Sequence, residues 1–361
     1  MPRIDAFLKL GMEQGCSDVH LAVGVPPMLR MHGELLPIKF RELGAAELEG
    51  YVNEILTEGQ RQRFSEGDDL DFSYMAEGVG RFRVNLFRKN TGIGVTLRHI
   101  PSEVPRFDTL GLPPGARRIT HFRQGLVLVT GSTGTGKSTT LAAAIDEINR
   151  REPCNIITLE DPIEFIHPSK RAQVVQREVG THVPSFSDGL RAALREDPDV
   201  ILVGEMRDPE TITMALLAAE TGHLVFGTLH TTSAVKSLDR LLDALPAEQR
   251  EQGKAFLAQN LHAVLTQTLV RTYDGRGRKA IVEVMLMNKA ISNLIQNDKT
   301  FQIPSQIQTG RDQGMQLMDQ ALLEAVKNKE VDPDDAYVHA NDKKLFSRFV
   351  TDPTILPPEP L

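Results

Sequence analysis

Few folds can accommodate the octapeptide Gly131-Ser132-Thr133-Gly134-Thr135-Gly136-Lys137-Ser138. It follows the apolar run 126–129 and leads into Thr140-Leu141-Ala142-Ala143-Ala144-Ile145, which reads as helix. This is G-x-x-x-x-G-K-[ST] in the strand–loop–helix setting that a phosphate-binding loop requires. Gly134 and Gly136 let the backbone wrap around phosphate with its N–H groups inward. The helix N-terminus adds partial positive charge at the same place. Lys137 is placed to reach the β/γ-phosphates, and the Ser138 hydroxyl to ligate Mg²⁺. A chance Gly/Ser/Thr loop would not put strand, glycines, Lys, hydroxyl and helix in this order. The chain is therefore expected to bind ATP or another nucleoside triphosphate through residues 131–139, Thr139 included.

Length and composition set outer bounds. A chain of 361 residues is expected to form two or three domains, and an apolar content of 40% can fill their cores. A net charge of −7 and a pI near 5.8 argue against a mainly electrostatic nucleic-acid binder. Two cysteines, Cys16 and Cys154, make neither a disulfide scaffold nor a four-cysteine zinc site, and reduced thiols suit the cytoplasm. The N-terminal stretch Met1-Pro2-Arg3-Ile4-Asp5 has no apolar signal core. No apolar run approaches the ~20 residues of a membrane helix, so no direct membrane insertion is expected.

Residues 1–100 read as a small α+β domain. Helical spacing covers 4–15 and 47–64, and short strands fall at 19–23, 28–31 and 35–38, with His32-Gly33-Glu34 as a turn. Further strands fall at 70–74, 81–87 and 94–100. Alternation puts Phe82, Val84 and Leu86 on one face and Arg81, Arg83 and Asn85 on the other. From spacing alone these arginines read as a solvated polar face. The stretch 101–118 holds four prolines by residue 114 and reads as an interdomain linker. The second domain is expected over 119–350, with C-terminal helices from about 287, and 351–361 as a loosely attached tail.

In the second domain a parallel-sheet pattern takes over. Runs 126–129, 156–159, 200–203 and 224–226 are apolar throughout, as strands buried on both faces should be. Helical segments at 138–150, 186–195 and 208–220 separate them. In such a sheet the nucleotide lies at the carboxyl ends of the strands. Those ends carry Glu160, Asp161 and Glu164 after one strand, Glu205 after another, and Thr228, His230 and Thr231 after a third. The 200–203 run resembles a Walker B strand with Gly204 where Asp is common and the acid one residue later. Glu205 and Glu160 are candidate Mg²⁺ ligands with Ser138. Either Glu205 or Glu164 is the candidate base that positions the attacking water. His223 and His230 bracket one strand too far apart for a shared metal, so a γ-phosphate sensor or an interface contact fits them better. Helices are then expected at 237–245 and 249–265, a hairpin around Asp274-Gly275, and helices at 290–295, 315–329 and 333–339.

Taken together, these boxes resemble the hexameric secretion ATPases of type II secretion and type IV pili, and among them the pilus-retraction motors. The matching stretches are the loop 131–138, the box 157–164, the Walker B stretch 197–208 and the histidine box 221–231. Ser17-Asp18-Val19-His20-Leu21 and Arg81-Phe82-Arg83-Val84 match as well. The resemblance covers essentially 1–350. It implies a PAS-like N-terminal domain, a RecA-like motor domain, a homo-hexameric ring, and hydrolysis of ATP with Mg²⁺. It implies work on an inner-membrane pilus platform protein from the cytoplasmic side, with no nucleic acid as partner. It also turns Arg81 and Arg83, and with less support Arg98 and Arg195, into candidate charge stabilisers at the phosphates. The helix that retraction motors carry as Ala-Ile-Arg-Asn-Leu-Ile-Arg-Glu here reads Ala290-Ile291-Ser292-Asn293-Leu294-Ile295-Gln296-Asn297. Rival readings are a pilus-assembly or type II secretion ATPase, a RecA-like nucleic-acid motor, and a small-molecule kinase. The assembly and secretion enzymes typically carry a tetracysteine module and longer N-terminal domains, which this chain lacks.

Overall fold

A computed structural model describes residues 2–31, 34–100 and 103–356. The chain forms two units, Met1–Glu103 with Pro162–Ile166, and Val104–Asp161 with His167–Leu361.

The first unit alternates helices and strands: α1 (Asp5–Gln14), β1 (Asp18–Ala22), β2 (Met28–Met31), β3 (Glu34–Pro37), α2 (Ala45–Asn53), α3 (Glu58–Glu66), β4 (Leu70–Ala76), β5 (Gly80–Lys89) and β6 (Gly92–Ile100). Its six strands pair in the order β3-β2-β1-β6-β5-β4, each pair antiparallel. The alternation read in β5 holds, since Phe82, Val84 and Leu86 are buried in this unit's core. The single helix expected at 47–64 is two helices. Thr57 breaks it with a capping box, accepting from the Gln60 N–H while the Gln60 side chain accepts from the Thr57 N–H. Of the expected turn, Glu34 opens β3, while His32 and Gly33 lie outside the described residues.

The second unit runs through β7 (Gly125–Thr130), α4 (Lys137–Arg151), β8 (Asn155–Glu160), β9 (Gln173–Glu178), α5 (Phe186–Ala193), β10 (Val200–Val203), α6 (Pro209–Glu220), β11 (Leu224–Leu229), α7 (Ala234–Ala244), α8 (Arg250–Asn260), β12 (Leu261–Arg271) and β13 (Arg278–Leu286). The C-terminal helices are α9 (Lys289–Gln296), α10 (Ile303–Thr309), α11 (Met318–Lys327), α12 (Pro333–His339) and α13 (Lys343–Phe346). Seven strands pair as β13-β12-β7-β11-β10-β8-β9, parallel except for β13. Every residue of β7, β10 and β11 is buried, because helices cover both faces of the parallel part. The architecture therefore comprises an α/β, RecA-like sheet and a smaller α+β unit.

Four differences from the sequence expectation have local causes. The expected helix 249–265 ends at Asn260, and 261–265 joins β12, because that stretch pairs with β7 at the centre of the sheet. Strand β9 escaped notice, since Gln173, Gln176, Arg177 and Glu178 make it too polar to stand out. Within the expected linker, Phe107 and Ala116 are packed in the second unit's core, while Pro101 and Ser102 lie outside the described residues. In the expected tail, Ile355 and Leu356 pack against a separate apolar cluster of α11, α12 and α13, and 357–361 lie outside the described residues.

One backbone contact secures the former linker. A Cβ on Gly115 would lie 2.0 Å from the Gly314 carbonyl oxygen. No side chain can yield there, because both sides are main chain. Gly115→Ala is expected to lower the unfolding free energy by about 1–3 kcal/mol, read as a lower denaturant midpoint. An unchanged midpoint would show that the two segments separate freely.

Candidate nucleotide site

The loop after β7 has the backbone that its glycines promised. Gly131, Gly134 and Gly136 all take positive φ, at 142°, 78° and 88°. Two of them are also required by packing. A Cβ on Gly131 would meet the Gln267 carbonyl oxygen at 2.3 Å, and one on Gly136 the Gln267 Nε2 at 2.8 Å. Gly134 has no atom within 4 Å of where its Cβ would be, so its demand is conformational only. Helix α4 begins at Lys137 with no side-chain cap at Gly136, which leaves its first-turn N–H groups to an incoming anion. Lys137 is buried, and its Nζ donates to the Gly131 and Ser132 carbonyls at 2.8 and 2.9 Å. An ammonium folded over loop carbonyls beside open N–H donors fits a triphosphate. Ser138 is exposed at the start of α4 and Thr139 is half-buried behind it.

Gln267 was not anticipated. From β12 its Nε2 donates to the Thr135 carbonyl at 2.7 Å, and its Oε1 accepts from the Thr140 hydroxyl at 2.8 Å. The amide thus holds the loop and the first turn of α4 together, and it is 4% exposed. No local pattern signals such a residue, since it lies over 120 positions from both partners.

Sheet order then decides what faces the loop. Strands β7, β11, β10 and β8 are consecutive neighbours, so their carboxyl ends bring the loop, His230, Glu205 and Glu160 side by side. His230 Nε2 lies 2.7 Å from Glu205 Oε1, and Arg207 Nε donates to the same oxygen. That contact holds the Arg207 guanidinium above its ordinary pKa, first through the hydrogen bond to Glu205. Glu160 Oε1 accepts from the Thr158 hydroxyl at 2.6 Å and from Gln176 Nε2 at 3.0 Å. Gly204, the departure from the usual Walker B order, lies against β8. Its N–H donates to the Leu159 carbonyl at 2.8 Å, and a Cβ would come within 3.0 Å of that oxygen. The close approach of β10 to β8 makes a side chain at 204 a tight fit, and the acid stands at 205. Ser138, Glu160 and Glu205 are oxygen donors, the type that Mg²⁺ prefers.

The remaining candidates are distributed differently. His223 lies at the opposite end of β11 from His230, where its Nδ1 is 2.8 Å from the Ala218 carbonyl near the end of α6. It closes a helix end and has no part in the nucleotide site. Glu164 falls within Pro162–Ile166, the segment that groups with the first unit. Arg81, Arg83 and Arg98 belong to the first unit's sheet. There Arg81 Nη2 donates to Ser73 Oγ at 2.9 Å, Arg83 makes a two-pronged pair with Asp71, and Arg98 Nε donates to Asp18 at 2.8 Å. Arg195, in the turn after α5, donates from Nη1 to the Arg191 carbonyl of that helix. In the C-terminal motif, Ile291 and Ile295 are fully buried, and the Ser292 hydroxyl donates to the Ala258 carbonyl at 2.7 Å. The helix is thus anchored to the end of α8 through the position where retraction motors have Arg.

A parallel sheet with a phosphate loop after one strand, and acids and a histidine after its neighbours, defines a P-loop nucleotide-binding protein of the RecA-like class. Residues 62–336 match the family described as Type II/IV secretion system protein, and the chain belongs to that family. The type IV pilus retractation ATPase PilT of Pseudomonas aeruginosa is 49% identical over 319 residues, which is 88% of this chain and 92% of the relative. A twitching motility protein of Neisseria gonorrhoeae is 47% identical over 321 residues, 89% of this chain and 86% of the relative. The crystal structure of the pilus retraction motor PilT with bound ADP superposes with a TM-score of 0.89 at 42% identity, covering 96% of this chain and 99% of the other.

Near the site, His167 ties the box after β8 to β9. Its backbone N–H donates to Gln176 Oε1 at 2.8 Å, and Gln176 in turn reaches Glu160. Burial lowers the His167 pKa from 6.5 to about 4, so the folded ring stays neutral where the unfolded one is charged. A lowered histidine pKa means that the unfolded state binds more protons between those values. Stability is therefore complete above about 6.5 and falls as pH drops toward 4, by up to about 1.4 kcal/mol per unit. His167→Gln is expected to show a flatter unfolding midpoint across pH 7 to 4.5 than the parent. Parallel profiles would remove His167 from the account.

Proposed function

We propose that this protein is a hexameric ATPase motor that couples Mg-ATP hydrolysis to retraction of type IV pili. The observation that carries the reading is the meeting of a preshaped phosphate loop with Glu205, His230 and Glu160 at adjacent strand ends. Relatives named for pilus retraction and twitching, matched across most of both chains, give that chemistry its task.

Residues 131–139 hold the triphosphate through inward N–H groups, and Lys137 exchanges its two loop carbonyls for phosphate oxygens. Ser138, Glu160 and Glu205 are the groups that would hold Mg²⁺, which supplies charge neutralisation at the phosphates when bound. Glu205 orients the attacking water, and His230, 2.7 Å from its carboxylate, keeps that carboxylate in place and senses the terminal phosphate. Glu164 is the second candidate for the base. Arg81 and Arg83 act as charge stabilisers when the phosphates are in reach, exchanging Ser73 and Asp71 for phosphate. Release of these contacts after hydrolysis moves the domain that carries them, and the motion is passed to a membrane platform protein at the cytoplasmic face. Among the described residues no helix is long and apolar enough to cross a membrane, so attachment is assigned to that partner.

Two experiments test this reading. Arg81→Ala is expected to lower kcat by at least about 10-fold while the assembled ring persists on size exclusion. Unchanged turnover would return Arg81 to a purely structural role. In the source cell, Lys137→Ala is expected to leave abundant, immobile pili and no surface motility. Bald cells would instead identify an assembly ATPase, and ATPase activity stimulated by DNA would support the nucleic-acid motor.

A further inference from the structure

Glu283, on β13, is 5% exposed and has no ion pair among the described residues. Its two oxygens go to two different helices. Oε1 accepts from the Ala234 N–H at 2.7 Å, and Oε2 accepts from the Met318 N–H at 3.3 Å. Ala234 is the first residue of α7, and Met318 the first of α11. One buried carboxylate therefore satisfies an N–H at the start of two helices of eleven and ten residues, where partial positive charge favours an anion. Burial meanwhile raises the carboxyl pKa, so these two donors are what the anion depends on in this position.

The helices so joined have different attachments. α11 supplies Met318, Leu322, Ala325 and Val326 to the C-terminal apolar cluster, which also takes in Val270 of β12 and Ile281 of β13. α7 starts three residues after Thr231, directly behind the strand end that carries His230. Within its first turn, the fully buried Ser237 lies 2.6 Å from the Thr231 hydroxyl and 3.4 Å from Thr130 Oγ1, and its hydroxyl donates to the Ser233 carbonyl at 2.8 Å. Thr130 is the last residue before the phosphate loop, and its hydroxyl pairs with that of Thr266 at 2.9 Å. Thr266 stands directly across from Glu283 in the β12–β13 register, on the same face of the sheet. Buried polar contacts thus run from Thr266 through Thr130 to Ser237 on α7, whose first N–H is held by Glu283, while Glu283 itself faces Thr266 as its cross-strand neighbour. A branch at Thr231 reaches the histidine loop.

We infer that Glu283 is a positioning residue for hydrolysis, which fixes α7 and the His230 loop relative to Glu205 and links them to the C-terminal helices through α11. The inference rests on the reading of Glu205 and His230 as hydrolytic groups. Glu283 holds the first N–H of α7 and of α11, and acts through the placement of α7. The phosphate loop has its own support in Gln267, so disturbing these contacts should spare nucleotide binding and reduce turnover. A carboxylate that merely stabilised the fold would show no such division.

The test uses the full chain in three variants. In Glu283→Gln the amide oxygen still accepts from one backbone N–H, while the amide NH₂ now faces the other backbone N–H. Ser237→Ala removes the hydroxyl junction at little change in volume. Glu205→Gln reports on the underlying reading. For each, steady-state ATPase kcat, the Kd of a slowly hydrolysed ATP analogue and the melting temperature are measured. Both Glu283→Gln and Ser237→Ala are expected to lose about 10-fold in kcat, with Kd within about twofold of the parent. The inference is overturned if kcat stays near the parent value in both, or if kcat and analogue affinity fall together in step with lost folded protein. Glu205→Gln separates the two ideas. Parental turnover in that variant refutes the role of Glu205 itself. Loss of turnover there, with Glu283→Gln and Ser237→Ala unaffected, refutes only the positioning role.

Discussion

The close approach of β12 to the phosphate loop is the contact on which the nucleotide site depends. Gln267 presses its backbone carbonyl against Gly131 and its side-chain amide against Gly136, at separations that no Cβ could share. The same amide then bonds the loop at Thr135 and the helix at Thr140. A Gly-rich loop left to itself would sample many conformations, since glycine loses the most backbone entropy on ordering. A buried amide with both its donor and its acceptor engaged selects one of them. Glycines that serve the ligand by conformation also serve the sheet by absence of volume, so the two demands coincide at Gly131 and Gly136.

Sheet topology accounts for the rest of the constellation. Four adjacent strands end on the same side, and each contributes one element: the loop, His230, Glu205 and Glu160. Parallel strands lie about 4.8 Å apart, so neighbouring strand ends deliver side chains of Glu or His length into mutual reach without special loops. The 2.7 Å contact of His230 with Glu205 is one result. Gly204 sits close against the adjoining strand, with its N–H on the Leu159 carbonyl, and the carboxylate of the next residue stands at the strand end.

Behind the site, polar groups are buried where apolar ones would pack as well, and each described member of that network is partnered. Thr130, Thr266, Ser237 and Glu283 together join the strand before the phosphate loop, the helix after the histidine box and α11. Buried polar networks stiffen the geometry that they connect, because any misplacement leaves a desolvated group without its partner. The apolar C-terminal cluster, by contrast, is non-directional and can shift without such a loss.

Sequence alone was enough for whatever depends on near neighbours along the chain. The loop 131–138, the all-apolar strands β7, β10 and β11, the alternation of Phe82, Val84 and Leu86 against Arg81 and Arg83, and the boxes after each strand are all written in periodicity or in motifs of a few residues. Near-neighbour pattern also misled, as at 261–265, where helical spacing yielded to pairing with β7. Tertiary structure alone decided which side chains complete the site. Gln267 reaches Thr140 across 127 positions, Thr266 reaches Thr130 across 136, and Glu283 reaches Ala234 across 49. A lone Gln, Thr or Glu on a strand carries no mark of its partner. Hydrogen bonds of this kind exist only once the sheet order has brought distant strands into register.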